Sequence, residues 1–214
     1  MKWINNFSNL QISYYIYKLN KGDKIICNNK SNYDKSIIIL YGITYLFKTL
    51  NNKQIFPLAI LNKNNIIHLD KYHVNKKINY QLIAFETTYL ISFSYKNITN
   101  KTHLNNNLLL KIITSQELTK KNYEIMINIL KHKYIKYRII QLLLLLSLKF
   151  GVINEKEIMI PFSLSQKNLA IITESNKITV NKIINELCKK MLIRYSAKKI
   201  IYITDIYMLK SILP

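Results

Sequence analysis

Short apolar runs separated by turn residues occupy the first hundred positions of the chain. β-branched and aromatic residues dominate four of these runs, at 37–41, 44–47, 55–61 and 89–93, with turn residues at 22–23, 42, 51–53 and 62–65. Spacing of about ten residues predicts a small β-barrel or β-roll rather than alternating strands and helices. Gly22 and Gly42 are two of only three glycines in the chain, so we expect a positive φ or close packing at both.

From about residue 104 the apolar positions recur at steps of three and four. This spacing predicts a long amphipathic helix containing Leu108, Ile112, Leu118, Ile125, Met126, Ile129 and Leu130. Residues 139–148 are almost wholly apolar, but about ten residues are too few to span a bilayer. They predict a buried core helix that ends near Gly151.

Two short helices are predicted in the last third of the chain. Ser165 is the expected N-cap of the first, and Asn176 of the second, which extends to Lys189. The intervening turn, 173–175, and the apolar pattern Leu169, Ala170, Val180 and Ile183 are typical of a helix-turn-helix. Residues 192–203 then form two strand-like runs about a basic turn, a β-hairpin in the position of a wing.

These patterns predict an α+β protein with three parts. Residues 1–103 form an N-terminal β-roll, 104–134 a long helix, and 135–208 a C-terminal winged helix-turn-helix. No stretch of eighteen apolar residues predicts a membrane span, and the first residues do not resemble a secretory signal. With only two cysteines, Cys27 and Cys188, we expect neither a disulfide scaffold nor a four-thiolate iron–sulfur cluster, and Cys188 to be a small core residue.

The formal net charge of +21 points to a polyanionic partner. Lysine, asparagine and isoleucine dominate the whole chain, however, and an AT-rich coding sequence would produce the same bias. Nucleic-acid binding must therefore be inferred from the positions of the lysines and not from their number. Residues 163–200 hold eight basic and two acidic residues. In the second helix of the pair, Val180, Ile183, Ile184 and Leu187 share one face, and Lys177, Ile178, Asn181, Lys182 and Asn185 share the opposite one.

The polar stripe suits a DNA major groove, where lysine donates to guanine or phosphate, asparagine pairs with adenine and isoleucine contacts a thymine methyl. The alternative interpretation is an ordinary solvated helix face. We find no residue pattern of an enzyme or a metal site: His68, His73, His103 and His132 lack paired ligands, and no nucleophile triad or glycine-rich phosphate loop occurs. Glu155 and Glu157 are expected to be solvated in a connecting loop.

The order of β-roll, long helix and winged helix-turn-helix resembles the cyclic-AMP receptor/fumarate-nitrate regulator superfamily of transcription factors. The resemblance covers about residues 15–205 and rests on Arg138-Ile139-Ile140-Gln141, Phe150-Gly151-Val152, Leu164-Ser165-Gln166 and Lys177-Ile178-Thr179-Val180-Asn181-Lys182. These segments are most similar to the cyanobacterial nitrogen-control regulators (NtcA) and their homologues encoded in red-algal plastids. Lys177 and Lys182 stand where that branch has arginines, and Glu174 stands where the family keeps a glycine in the turn.

The resemblance implies a cyclic-nucleotide-binding-like roll, a plastid location, and double-stranded DNA, a second copy of the chain and RNA polymerase as partners. Apolar residues of helix 105–135 are expected to pair two copies, setting two recognition helices about 34 Å apart on a palindromic site. We expect base contacts from Lys177, Asn181 and Lys182. The residues expected to hold phosphates are Ser165, Gln166, Ser175, Lys198 and Lys199. Asn176, Ile178 and Thr179 complete the predicted site.

The segment that corresponds to the superfamily's effector-binding stretch differs from it in sequence. The superfamily's glycine-containing stretch aligns with Ile66-Ile67-His68-Leu69, which has no glycine to let backbone amides approach an anion, and this argues against cyclic AMP. The resemblance implies 2-oxoglutarate as the effector, held through Lys76 and Lys77; the alternative is two solvated lysines on a hairpin. For the whole chain, the alternative to sequence-specific regulation is non-specific nucleic-acid binding through phosphate charge.

Overall fold

The computed structural model describes residues 2–27, 35–50, 54–68, 78–99 and 106–214. The chain divides into two compact units, Met1–Met126 and Ile127–Pro214. Among the described residues, no helix is both long and apolar enough to cross a membrane. The α+β class, with sheets in the N-terminal part, a long helix and a C-terminal helix-turn-helix, is confirmed.

The described residues before position 132 form eight strands and three helices. In chain order they are α1 (Lys2–Asn9), β1 (Tyr14–Leu19), β2 (Lys24–Cys27), β3 (Lys35–Tyr41), β4 (Thr44–Leu50), β5 (Gln54–Leu61), β6 (Ile66–His68), β7 (Ile78–Ala84), β8 (Thr88–Ser94), α2 (Lys96–Thr99) and α3 (Asn106–Lys131). Two four-stranded antiparallel sheets result, in the orders β1-β8-β3-β6 and β2-β7-β4-β5. The predicted strands therefore lie in the two sheets of a β-roll.

The core of the roll combines inward-facing residues of both sheets. Leu19, Ile39 and Leu90 of one sheet belong to the same buried cluster as Leu46 and Leu82 of the other. Successive side chains of a strand point to opposite faces of its sheet, so these residues share the inner face of their strands. At the β3–β4 turn, Gly42 has φ +91°, as its scarcity in the sequence predicted, and Gly22 has φ +87°.

A second apolar cluster lies on the outer face of the first sheet. Trp3 and Phe7 of α1 pack there with Ile91 of β8 and with Leu108 and Ile112 of α3. Helix α1 was not predicted. Leu108, Ile112, Met126 and Ile129 are buried within the protomer, so these four of the apolar residues predicted for the long helix are not available for pairing two copies.

A buried polar network joins the turn before β6 to α3. The Thr119 hydroxyl accepts hydrogen bonds from the Ile66 backbone N–H (3.0 Å) and the Asn65 amide (3.3 Å), and Asn122 donates to the Asn65 Oδ1 (3.2 Å). All three polar side chains are buried, so the bonds replace those they would make with water. The network fixes the register of α3 on the roll.

The second unit holds the remaining elements of the chain. They are α4 (Ile135–Phe150), β9 (Val152–Asn154), β10 (Glu157–Met159), α5 (Gln166–Ile172), α6 (Lys177–Lys189), β11 (Ile193–Tyr195), β12 (Ile201–Ile203) and α7 (Ile206–Ser211). As predicted, α4 is a buried core helix and ends before Gly151. The backbone of Gly151 is extended rather than left-handed, and a Cβ there would overlap the Ser147 carbonyl oxygen.

The wing hairpin β11–β12 is confirmed, but it belongs to a larger sheet. All four short strands of this unit form an antiparallel sheet in the order β11-β12-β10-β9. The expectation that Glu157 is solvated in a loop is wrong. It lies on β10, and Arg194 of β11 donates to its carboxylate, with the Arg194 Nε 3.3 Å from the Glu157 Oε1.

Candidate DNA-binding site

Two N-caps define the helix-turn-helix, and both were predicted. The Ser165 side chain accepts a hydrogen bond from the Asn168 N–H (3.1 Å), and the Asn176 side chain accepts one from the Thr179 N–H (2.8 Å). Each bond satisfies a backbone donor that the first turn of a helix leaves without a partner. The caps fix where α5 and α6 begin, and with them which residues of α6 face outward.

The turn between α5 and α6 closes without the family's glycine. The Thr173 hydroxyl donates to the Leu169 carbonyl (2.8 Å), and the Ser175 N–H donates to the Ala170 carbonyl (2.8 Å). Between them Glu174 has φ +50°, in the left-handed region that glycine adopts most readily. The backbone of the turn is therefore retained, and Glu174 bears the strain.

Replacing Glu174 with glycine should stabilise the protein by about 0.5 kcal/mol. Relief of the left-handed strain, worth about 1 kcal/mol or somewhat more, is partly offset by the greater freedom of glycine in the unfolded chain. Urea unfolding of Glu174→Gly and Glu174→Ala measures the difference. Alanine removes the same charge but keeps the strain, so equal stability of the two variants would contradict this account.

Helix α6 presents a buried and an exposed face, as the helical spacing predicted. Val180, Ile183, Ile184 and Leu187 are buried. The exposed face consists of Lys177, Ile178, Asn181, Lys182, Asn185 and Lys189. Ile178 is 71% exposed, so its apolar side chain is accessible on this face. The exposed face is thus basic and amide-rich, with one apolar side chain.

An ion-pair cluster links α6 to α4. The Glu186 carboxylate accepts from the Lys136 Nζ (2.8 Å) and lies 3.0 Å from the Lys190 Nζ. The hydrogen bond from Lys136, followed by that from Lys190, holds the pKa of Glu186 below its usual value. This pairing could not be predicted from the sequence, because Lys136 and Glu186 are fifty residues apart.

The depressed pKa of Glu186 predicts a contribution to stability that acid removes. Since the folded-state pKa is below the unfolded one, the contribution is complete above about pH 4.5 and disappears as the pH falls through the folded-state pKa. Because the Glu186 side chain is largely exposed to solvent, Glu186→Gln should cost only about 0.5 kcal/mol at pH 7 and progressively less as the pH falls below about 4.5. Urea unfolding from pH 7 to 3, with Glu155→Gln as a surface control, tests this; a cost that does not change with pH would contradict it.

Arg138 ties the chain that follows α3 to the helix-turn-helix. Its Nε donates to the His132 carbonyl (2.8 Å) and its Nη1 to the Thr173 carbonyl (3.1 Å). These carbonyls lie just beyond the C-terminal ends of α3 and α5, where cations are favoured. Arg138 entered the sequence argument only as part of a motif, and its positioning of the turn could not be deduced from the sequence.

The wing turn carries two exposed lysines, Lys198 and Lys199. The Lys199 carbonyl accepts from the Leu164 N–H (2.8 Å), and the Lys199 N–H donates to the Ser196 carbonyl (2.9 Å). These backbone bonds attach the wing to the segment that leads into α5. The two ammonium groups thereby lie on the winged helix-turn-helix, the module that also carries the exposed face of α6.

Gln166 and Asn181 meet across the helix-turn-helix. The Gln166 Nε2 donates to the Asn181 Oδ1 over 2.9 Å. The Gln166 backbone N–H bonds to the Tyr195 hydroxyl, which itself donates to the Leu164 carbonyl (2.9 Å). Residues of α5, α6 and β11 are therefore joined at the edge of the exposed face.

The structure brings the predicted DNA-contacting residues together in one module. Asn176, Lys177, Ile178, Asn181, Lys182, Lys198 and Lys199 are exposed, and Ser165, Gln166, Ser175 and Thr179 are half-buried. Their role in binding DNA stays a prediction. The proposed effector residues Lys76 and Lys77 lie outside the described residues.

The roll contains a tyrosine pair beside its core. Tyr123 of α3 and Tyr80 of β7 both pack against the cluster between the sheets. Burial, and secondarily the neighbouring Tyr80, raises the pKa of Tyr123 to about 12. Tyr123 is therefore a neutral, partly buried group at physiological pH and provides no charge for an effector.

Comparison with known proteins agrees with this geometry. Residues 137–212 match the Crp-like helix-turn-helix domain family. The chain is 27% identical over 199 residues to the "Putative HTH-type transcriptional regulator ycf28" of Porphyra purpurea, covering 93% of this chain and 82% of the relative.

Solved structures share the fold at low sequence identity. A CooA mutant from Carboxydothermus hydrogenoformans is 16% identical with a TM-score of 0.75, covering 96% of this chain and 89% of its own. FixK2 from Bradyrhizobium japonicum is 12% identical with a TM-score of 0.72, covering 95% and 98%. Residues 137–212 thus match a Crp-like helix-turn-helix domain, and the relative and the shared fold support the resemblance of the whole chain to the cyclic-AMP receptor/fumarate-nitrate regulator superfamily.

Proposed function

We propose that the protein is a homodimeric, sequence-specific DNA-binding regulator that acts on a palindromic site. The observation that carries the proposal is the exposed face of α6, where Lys177, Asn181 and Lys182 stand beside Ile178 with no other part of their unit covering them. A helix of this width and charge fits the major groove, whose base edges offer acceptors to lysine and asparagine.

Different parts of the module would contact the bases and the phosphates. Lys177, Asn181 and Lys182 lie along α6 and would reach base edges. Ser165, Gln166, Ser175, Lys198 and Lys199 surround them, and would bind the phosphates that set the register of α6 in the groove. The chain's functional division is proposed as 1–103, 104–134 and 135–208.

The proposed dimer rests on α3. Although Leu108, Ile112, Met126 and Ile129 are buried in the protomer, α3 exposes four other large apolar side chains: Leu110, Ile113, Leu118 and Ile127. Pairing two copies of α3 would cover them, since exposed apolar residues on a helix favour association. A two-fold axis would then repeat α6 about one helical turn of DNA away.

The finer assignments rest on the resemblance to nitrogen-control regulators. The relative from Porphyra purpurea supports the proposed plastid location and the non-enzymatic role. Nitrogen responsiveness, 2-oxoglutarate as effector and recruitment of RNA polymerase follow from the resemblance alone. Calorimetric titration of the purified dimer with 2-oxoglutarate tests the effector: heat that saturates supports it, and its absence excludes it.

Selection of DNA from a random pool tests the proposed function. The selected duplex should contain two inverted half-sites about ten base pairs apart between centres, and should bind at least about 1,000-fold more tightly than a scrambled duplex at the same salt concentration. If no sequence is enriched and all duplexes bind alike with a steep dependence on salt, the protein is the non-specific nucleic-acid binder that its charge alone would explain.

A further inference from the structure

The Gln166–Asn181 pair fixes which atoms α6 presents to DNA. The Asn181 side chain has one oxygen acceptor and one NH₂ group with two donors. Its oxygen accepts from the Gln166 Nε2 at 2.9 Å, so the bond turns the Oδ1 toward α5 and leaves the Nδ2 outward. The pair lies on the exposed surface of the module, where a base edge can reach it.

The orientation of Gln166 is itself supported from the wing. Its backbone N–H bonds to the Tyr195 hydroxyl, and Tyr195 is anchored through the Leu164 carbonyl (2.9 Å). Gln166 is also the first residue of α5, directly after the Ser165 cap, so its backbone is fixed by the start of the helix. A side chain held at its base in this way loses less freedom when it binds Asn181.

The two orientations of asparagine read different bases. An asparagine with both atoms free pairs with adenine, accepting from N6 and donating to N7. Guanine presents two acceptors in the major groove, N7 and O6, and so requires donors alone. With the Asn181 oxygen turned toward Gln166 and away from the base edge, the side chain offers the base its two N–H donors.

We propose that Gln166 is a specificity-determining residue that makes Asn181 select guanine over adenine at one position of each half-site. This inference rests on the proposed function and deepens it by naming the base. Gln166 acts as a positioning residue: its effect on base choice passes through Asn181. This role replaces the phosphate contact predicted for Gln166, which would give no base preference.

Selection from a random pool with three proteins tests the proposal: the full-length parent, Asn181→Ala and Gln166→Met. Methionine keeps the length of the unbranched side chain but cannot donate to Asn181. Asn181→Ala should flatten the preference at one position per half-site, and that position should be guanine in the parent. In Gln166→Met the same position should change to adenine, by about tenfold in relative affinity, because Asn181 regains its oxygen.

The possible outcomes distinguish failure of this inference from failure of the proposed function. The inference is overturned if Gln166→Met keeps the parent's preference, if the position that Asn181 reads is adenine in the parent, or if Asn181→Ala alters no position. Enrichment of no sequence by the parent overturns the proposed function as well. A uniform loss of affinity by Gln166→Met, with its base preferences intact, would identify a phosphate contact instead. Equal thermal unfolding of the three proteins confirms that each is folded.

Discussion

Replacing Lys182 with alanine should relax the sequence preference of the protein, whereas replacing Lys199 should weaken binding to every sequence alike. Lys182 lies on the exposed face of α6, and Lys199 lies in the wing turn. Loss of a base contact costs about 1–3 kcal/mol on the preferred site and less on other sequences. Loss of a phosphate contact lowers the slope of log K against log salt by about one, with no change in discrimination.

Titrations of the selected duplex and a scrambled duplex at several salt concentrations make the distinction. Lys210→Ala, in α7 outside the predicted site, is a matched control for the loss of one lysine. Equal loss on both duplexes for Lys182→Ala and Lys199→Ala would contradict the assignment of base contacts to α6 and phosphate contacts to the wing.

Replacing Gly42 with alanine should destabilise the β-roll by about 3 kcal/mol or more. Gly42 has φ +91°, and a Cβ would lie 2.7 Å from the Thr87 carbonyl oxygen and 2.8 Å from the Thr88 Cα. The left-handed conformation costs alanine about 1–2 kcal/mol, and overlap with backbone atoms, which cannot rotate away, adds about as much again.

Gly22 supplies the control for that prediction. It has nearly the same φ, +87°, but a Cβ there would meet nothing within 4 Å. Gly22→Ala should therefore cost only about 1 kcal/mol. Urea unfolding of both variants measures the difference, and equal costs would show that the contact with Thr87 and Thr88 is relieved by a shift of the β3–β4 turn.

Local patterns in the sequence were sufficient to predict those features of the structure that interactions between neighbouring residues determine. The caps at Ser165 and Asn176 and the end of α6 at Lys189 were predicted, because capping and helical periodicity act within a few residues. The two faces of α6 followed from the same periodicity. Gly22 and Gly42 were identified because the rest of the chain has almost no glycine.

Contacts between distant residues could not be predicted in the same way. Glu157 pairs with Arg194 because β9 and β10 extend the wing sheet. Strands of three residues are too short for their position in a sheet to be predicted from the sequence. The Gln166–Asn181 bond joins two helices and depends on their crossing. Helix α1 is an exception: Trp3 and Phe7, four residues apart, form an amphipathic pattern from which this helix could have been predicted.

The departures from the superfamily have different consequences. At the turn of the helix-turn-helix, Glu174 adopts the left-handed conformation, so replacing the glycine does not abolish the motif. In the recognition helix, lysine lacks the planar, two-pronged geometry of arginine. We expect the amide pair of Gln166 and Asn181 to supply part of the base discrimination that Lys177 and Lys182 cannot.

Methylation interference on the selected duplex tests most directly whether α6 enters the major groove. Methyl groups are placed at guanine N7, which lies in the major groove, and at adenine N3, which lies in the minor groove. We predict that N7 methylation blocks binding in two clusters about ten base pairs apart, one for each copy of α6. Binding that tolerates N7 methylation throughout the site, or that is blocked only by N3 methylation, would contradict the account.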